Sequence, residues 1–375
     1  MEPQMNRQIS RITIEGYKSI RQLRDFELRP LTILIGANGA GKSNFVSFFT
    51  LLHEMVEQRL RVEVQKRGGA DALLYMGPKT TERIVGKLHF GQNDYEFVLV
   101  PTPGNHLVLA EETTAYTGGK YGDSRKTLSG TAESQLKDLK DRPGVLGAPR
   151  GVAGYIYDAL SSWVVYHFHD TTDTAAVRRQ GSVRDNEYLR SDASNLAAFL
   201  MKLRATKSDR YDMIRDAIRL VAPFFDDFVL RPQRLGGDDA VMLEWSQKES
   251  DYPFHPSQIS DGTLRFMCLA TALLQPHPPA TVLLDEPELG LHPYALSLLA
   301  SLLKQARNRT QVIVSTQSAV LLNHFEPADI VVVDREDGAS QFRRLDSAEL
   351  AEWLQTYTLG ELWEKNVFDG GPVHE

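Results

Sequence analysis

The sequence predicts an α/β fold with a mixed central sheet, an antiparallel β meander and a helical insertion. Short unbroken apolar runs at 31–35 (LTILI), 281–285 (TVLLD), 311–315 (QVIVS) and 330–334 (IVVVD) read as strands buried on both faces. Helical patterns separate the later runs, which implies a largely parallel sheet covered on both sides. Between 82 and 113 the pattern changes. Ile84, Leu88 and Phe90, then Tyr95, Phe97 and Leu99, then Leu107 and Leu109 fall at even spacing between loops with Gly and Asn, as in a meander.

The remaining elements follow in order. Residues 9–15 alternate apolar and polar, a half-buried strand. The run at 31–35 stops at Gly36, and a helix is expected from Lys42 to about Arg61. There Phe45, Phe48, Phe49, Leu52, Met55 and Val56 form one apolar stripe. Residues 117–151 are polar and rich in Gly, Lys and Asp. They predict a mobile insertion with one short helix and no buried element. A strand at 162–168 and helices at about 193–204 and 209–221 come next, the second ended by Pro223. A helix from Leu264 to Leu274 precedes the acidic run, and helices at 293–307 and 318–325 separate the last strands. No internal repeat and no long heptad array is present. The expected organisation is a single domain over 1–375. It contains a lobe at 1–116, the insertion at 117–151, a helical and β insertion at 152–257 and a closing lobe at 258–375.

Bulk properties restrict the function classes. At 375 residues the length prior allows two to three domains, and one large α/β domain with insertions fits as well. Charged residues at 24% and apolar residues at 42% are ordinary for a soluble globular protein. A net charge of -7 gives no support to general nucleic-acid affinity, although averaging hides local basic patches. The single cysteine, Cys268, forms no intramolecular disulfide and no metal cluster, which suits a reducing cytoplasm. Charges interrupt the N-terminus, and no run approaches the ~20 apolar residues of a membrane span. The expectation is a cytoplasmic protein with no membrane partner.

The residues from Gly36 to Ser43 (GANGAGKS) match G-x-x-x-x-G-K-[ST] in full, between a strand and a helix. Glycines let the backbone turn its N–H groups onto an anion, and the helix N-terminus adds its positive dipole end. Gly36, Asn38, Gly39, Ala40, Gly41, Lys42, Ser43 and Asn44 are therefore candidate phosphate-binding residues. Lys42 would meet the β and γ phosphates of ATP, and Ser43 would ligate Mg²⁺. An ordinary Gly-rich turn does not account for the full match and its flanks. Downstream, the 281–285 strand ends in Asp285-Glu286-Pro287. Ligands bind at such strand ends in open α/β sheets. Asp285 is expected to hold Mg²⁺ and Glu286 to act as general base on the attacking water.

Ser260-Asp261-Gly262-Thr263 lies just before a helix and shortly upstream of that acidic strand. Alone it reads as a simple N-cap. In this order and spacing it resembles the ABC signature, whose serine and glycine cap the γ-phosphate held by the opposite subunit. The motif set resembles the RecF, SMC and OLD branch of ABC-type ATPases, and within it the small standalone predicted ATPases of about this length. Gly16-Tyr17-Lys18-Ser19-Ile20 resembles the "NFKSI" element of the branch, which implies that Lys18 and Ser19 approach the phosphates. Glu288 to Pro293 (ELGLHP) resembles the D-loop counterpart at the subunit interface. Gly68 to Leu74 (GGADALL) and Leu359 to Trp363 (LGELW) also resemble the small standalone group. The resemblance spans nearly the whole chain and is weakest across 117–151.

What the resemblance implies is an ABC-type P-loop NTPase fold that binds ATP, Ser260, Gly262 and Thr263 of one copy closing the site of another in an ATP-linked homodimer. Two departures stand out. The switch position carries Gln317 where most relatives have histidine. Glutamine donates a hydrogen bond but cannot become cationic, so slow turnover is expected. The Q-loop glutamine has no clear place, and Gln92 reads better as a hairpin residue. One function expectation is the ATPase subunit of a DNA-metabolism or anti-phage defence system, acting with a separate effector, a nuclease or toxin, because the chain leaves no room for the TOPRIM nuclease of OLD-like relatives. The alternative is a slow-turnover, nucleotide-gated scaffold that holds or releases a protein partner. A transporter subunit is disfavoured by the long insertion and the ELGLHP segment.

Three smaller features have bland readings. Arg178, Arg179, Arg184 and Arg190, with Lys202, Arg204, Lys207 and Arg210, form a candidate DNA site, but a solvated charged face explains them better. Cys268 reads as a small core residue. His167 and His169 share a strand face and read as core or interface histidines, since no third metal ligand is in sight.

Overall fold

Side-chain alternation along the buried strands explains how the molecule is layered. The structure, a computed structural model, describes residues 7–118, 122–144, 150–235, 238–250 and 252–368. Its central sheet runs, edge to edge, Ala339–Arg344, Ile330–Glu336, Leu31–Ile35, Gln311–Thr316, Thr281–Asp285 and Val164–Tyr166. Every neighbour pair is parallel except the one that adds Ala339–Arg344. Leu31, Ile33, Ile35, Val282, Leu284, Val312 and Val314 enter one core. Leu34, Leu283, Ile313, Val331 and Val333 enter another. Successive side chains of a strand point to opposite faces, so a run with no polar interruption is what two buried faces demand.

Helices Leu196–Thr206, Ser208–Val221, Asp261–Leu274 and Pro293–Ala306 contribute to the first core. The second core joins helices Lys42–Val56 and Val152–Ser161 to a six-stranded antiparallel sheet. That sheet is ordered Ile20–Glu27, Arg11–Tyr17, Ile84–Phe90, Asn93–Pro101, Leu107–Tyr116 and Ser124–Thr131. The predicted meander is its latter part. Gln92 sits in the hairpin before Asn93, where its side-chain Oε1 accepts from the Tyr116 hydroxyl at 3.0 Å.

Several expectations need correction. The first helix ends at Val56 rather than near Arg61, with Gln58 at φ 61° in the left-handed region, and a separate helix follows at Leu60–Lys66. The segment 117–151 holds more than one short helix. Ser124–Thr131 is an edge strand paired with Leu107–Tyr116, and Leu128, Leu136 and Leu139 are buried. Its attachment is largely polar and so escaped an apolar-pattern reading. The buried Glu112 carboxylate accepts from the Tyr95 hydroxyl, the Ser134 hydroxyl and the Gln135 backbone N–H. Residues 119–121 and 145–149 of that insertion lie outside the described residues. Edge strands Ile20–Glu27 and Ala339–Arg344 were not foreseen. Charged side chains on an edge strand mask its periodicity.

The two small motifs of the resemblance find packing roles. Ala70, Leu73 and Leu74 are buried, and the Lys18 N–H donates to the Leu73 carbonyl at 2.8 Å. Gly360 opens the helix Leu359–Glu364, its N–H donating to Asn323 Oδ1 at 2.7 Å. A β-carbon there would strike the Ala319 carbonyl, so the close approach requires glycine. No helix among the described residues is long and apolar enough to cross a membrane.

Candidate functional site

The Gly36–Ser43 loop is the turn between Leu31–Ile35 and helix Lys42–Val56. Gly41 stands at φ 116°, and a β-carbon on it would collide with the hydroxyl oxygen of Ser340. The loop is pinned there. Ser340 Oγ lies 2.6 Å from the Ala40 carbonyl and 2.7 Å from Ser19 Oγ. Asn44 Nδ2 donates to the same Ser19 oxygen at 2.7 Å. Lys42 Nζ donates to the Gly36 and Ala37 carbonyls at 2.6 and 3.1 Å, so the ammonium lies within its own loop. Burial lowers its pKa, against the pull of Glu286, Asp285 and Glu288. Asn38, Gly39 and Ser43 are exposed to solvent. Lys18 reaches Ser47 Oγ at 3.1 Å, and burial lowers its pKa to about 8.

The acidic strand lies beside Gln311–Thr316, with Asp285 in register with Ser315. The Ser315 hydroxyl donates to Asp285 Oδ1. Glu286 follows at φ 42°, an unusual backbone for a residue with a β-carbon, which costs about 1–3 kcal/mol and here turns the chain out of the sheet. Gln317 Nε2 donates to Glu286 Oε1 at 2.5 Å and to Asn38 Oδ1 at 2.6 Å. One side-chain amide therefore joins the acidic strand end, the switch position and the phosphate loop. Lys42, Asp285, Glu286 and Gln317 come from three neighbouring parallel strands, all at the same end of the sheet. Opposed carboxylates and an ammonium beside a glycine-lined anion cradle suit a triphosphate with its metal. Among the described residues no cluster of three His, Cys, Asp or Glu side chains offers a separate metal site.

The signature segment forms a second group. Ser260 is exposed and caps helix Asp261–Leu274, accepting from the Thr263 N–H at 3.3 Å. The helix thus begins at Asp261, and Gly262 and Thr263 lie in its first turn. A β-carbon on Gly262 would strike the carbonyl of Gly290, which ties the segment to the ELGLHP turn. Arg265 strengthens that tie by donating to the Leu289 carbonyl, and also to the Phe168 and His169 carbonyls.

Arg178 leaves the candidate DNA site. Its guanidinium is buried and holds Asp261 at 2.6 Å as well as the Pro256, Ile259 and Thr171 carbonyls. Arg190 and Lys202 are paired with Asp185 and Glu187. His167 and His169 are exposed with rings 6.4 Å apart, which removes the core alternative for them. Cys268 is a buried core residue, and burial pushes its thiol up to about 12. Sequence reasoning missed Arg178, Arg265, Glu288 and Ser340 as site supports. The ELGLHP motif was a signal for Glu288. For Ser340 there was none, because its partners are some 300 residues away (|i−j| of 300 and 321).

The fold is an ABC-type P-loop NTPase fold, with the glycine-rich loop at the end of a central parallel strand. Similarity to a known protein family covers less than half of the chain. Residues 164–323 match the family model described as "AAA domain, putative AbiEii toxin, Type IV TA system". The fold is similar to an SMC head bound to the C-terminal winged-helix domain of ScpA, with TM-score 0.54 and 15% identity over 92% of this chain and 99% of that one. It is also similar to the SMC head with an extended coiled coil, bound to the C-terminal domain of ScpA, from Pyrococcus furiosus. There the TM-score is 0.50 and the identity 14%, over 92% of this chain and 98% of that one. No curated protein sequence matches the chain.

Proposed function

We propose that the chain hydrolyses ATP at composite sites formed between two copies related by a two-fold axis, the glycine-rich loop of each set head-to-tail against the signature segment of the other. The observation that carries this reading is the meeting of Lys42, Asp285, Glu286 and Gln317 at one end of the central sheet, while Ser260 is exposed on a separate helix start. Lys42, the loop backbone from Gly36 to Gly41 and Asn44 bind the phosphates, with Lys18 and Ser19 supporting the loop from the neighbouring turn. Mg²⁺ held by Ser43 and Asp285 neutralises phosphate charge when bound. Ser260, Gly262 and Thr263 of the second copy cap the γ-phosphate through a helix N-terminus. The site pair is isologous, so each copy gives and receives a cap.

Glu286 accepts a proton from water as the water oxygen bonds to the γ-phosphorus. The bond from that phosphorus to the bridging oxygen breaks, and its electron pair leaves with ADP. Before that step, as ATP enters, Gln317 exchanges its bond to Glu286 for one to the γ-phosphate. Phosphate-release assays on the wild-type protein and on Glu286→Gln, with chromatography in ATP and Mg²⁺, test this reading. Wild-type turnover and an ATP-dependent dimer of the variant are expected. A variant as active as wild type removes Glu286 from its role.

A separate effector protein completes the proposed system, in DNA metabolism or anti-phage defence. Support comes from the toxin–antitoxin wording of the matching family and from the SMC heads, whose structures hold a ScpA domain. The second reading, a slow nucleotide-gated scaffold, is favoured by one observation. Gln317 occupies the Glu286 carboxylate and cannot gain a charge to draw it toward phosphate. Phosphate release with and without DNA separates the two: DNA stimulation supports the first, and a long-lived ATP complex the second.

A further inference from the structure

Glu288 takes no part in the chemistry just described, yet it is the best-connected residue of the turn beyond the acidic strand. Its Oε1 accepts from the Thr316 hydroxyl at 2.6 Å and from the Gln317 backbone N–H at 2.9 Å. Thr316 Oγ1 in turn accepts from the Ser318 N–H at 3.0 Å, and Ser318 Oγ caps the helix Ala319–Leu322 by accepting from Leu321 at 3.1 Å. One carboxylate thus fixes the backbone on which the switch glutamine stands. That fixed backbone lets the Gln317 amide reach both Glu286 and Asn38.

The other side of the same turn faces outward. Leu289 is 41% exposed, and its carbonyl and that of Gly290 meet Arg265 and Gly262 of the signature helix. We propose that Glu288 is a positioning residue that links the ELGLHP turn, against which the signature helix packs, to the switch glutamine, so that movement of one resets the other. The inference rests on the ATPase reading for its consequence, though its geometry stands without it.

Stability alone does not account for a carboxylate at this place. Its Oε2 is buried with no hydrogen-bond partner among the described residues. An orphaned buried acceptor loses its water partners without replacement and so destabilises the fold. Burial also raises the pKa of the group, which marks the desolvation the charge endures. What the carboxylate contributes is the placement of Gln317, through its bonds to the Thr316 hydroxyl and the Gln317 N–H.

The test uses the full chain with two readouts. Hydrogen–deuterium exchange over residues 314–320 reports the Gln317 and Ser318 amides without reference to turnover. Glu288→Ala is expected to speed exchange there by about tenfold or more, and to lower kcat by about 10- to 100-fold with KM within twofold. Glu288→Gln keeps an acceptor for both donors and is expected to restore protection and most of kcat. Should Glu288→Ala fail to fold, Thr316→Val removes one donor to Glu288 at constant shape; because it also removes the acceptor of the Ser318 N–H, the Gln317 amide alone is read, and it is expected to exchange faster as kcat falls. Unchanged exchange in Glu288→Ala, or faster exchange with unchanged kcat, overturns the proposal. A wild-type protein that binds ATP without hydrolysing it refutes the function reading instead, and exchange then decides the positioning role by itself.

Discussion

Gln317 donates its side-chain amide to the Glu286 carboxylate at 2.5 Å, and the same nitrogen reaches Asn38 in the phosphate loop at 2.6 Å. The proposed base is thus hydrogen-bonded to the proposed sensor. The proposed mechanism therefore requires this bond to yield before Glu286 receives a proton.

Glu286→Gln is expected to lower kcat by about 10²–10⁴, the range for loss of a general base, while ATP affinity stays within a fewfold. Single-turnover phosphate release with equilibrium binding of a fluorescent ATP analogue checks both halves.

Lys42→Ala removes the ammonium that now sits on the Gly36 and Ala37 carbonyls. Wild-type protein at 100 Kd of ATP gains about 2.7 kcal/mol by linkage, visible as a rise in Tm. The variant is expected to show no ATP-dependent rise, with a Tm near wild type in buffer. An ATP response equal to wild type would contradict the assignment of the loop.

Gln317→His introduces a group with an ordinary pKa of about 6.5. Protonated imidazole donates to phosphate, and neutral imidazole keeps only one N–H. The kcat profile of the variant is expected to gain an inflection between about pH 6 and 7, higher on the acid side, that wild type lacks. Coincident profiles would remove Gln317 from contact with the reacting phosphate.

Arg178→Ala deprives Asp261 and the Pro256 and Ile259 carbonyls of their donor. A loss of about 1–3 kcal/mol in stability is expected from unsatisfied acceptors. Binding of ATP by the monomer is expected to persist, while the ATP-dependent dimer of a Glu286→Gln background weakens. Analytical ultracentrifugation decides this, and an unchanged dimer means the signature start needs no such support.

Cys268 is 2% exposed with a thiol raised to about 12. Burial keeps the thiol protonated and out of reach of reagents in the folded chain. A disulfide reagent is expected to leave native protein unmodified and to react once per chain in denaturant. Fast native labelling would show that the helix Asp261–Leu274 opens locally.

The sequence by itself determined the phosphate loop, the acidic strand end, the signature start and the parallel strands between them. Each is a local pattern: contiguous residues impose a turn, a cap or a two-sided apolar run, and short-range sterics and hydrogen bonding suffice to read it. Tertiary structure alone decided that Ser340 and Ser19 pin Gly41, that Gln317 spans Glu286 and Asn38, that Arg178 serves the signature helix, and that Ser124–Thr131 closes an antiparallel sheet. These are polar contacts between segments far apart in the chain. A hydrogen bond leaves no periodicity in either partner's sequence, so only folding brings its two ends into view.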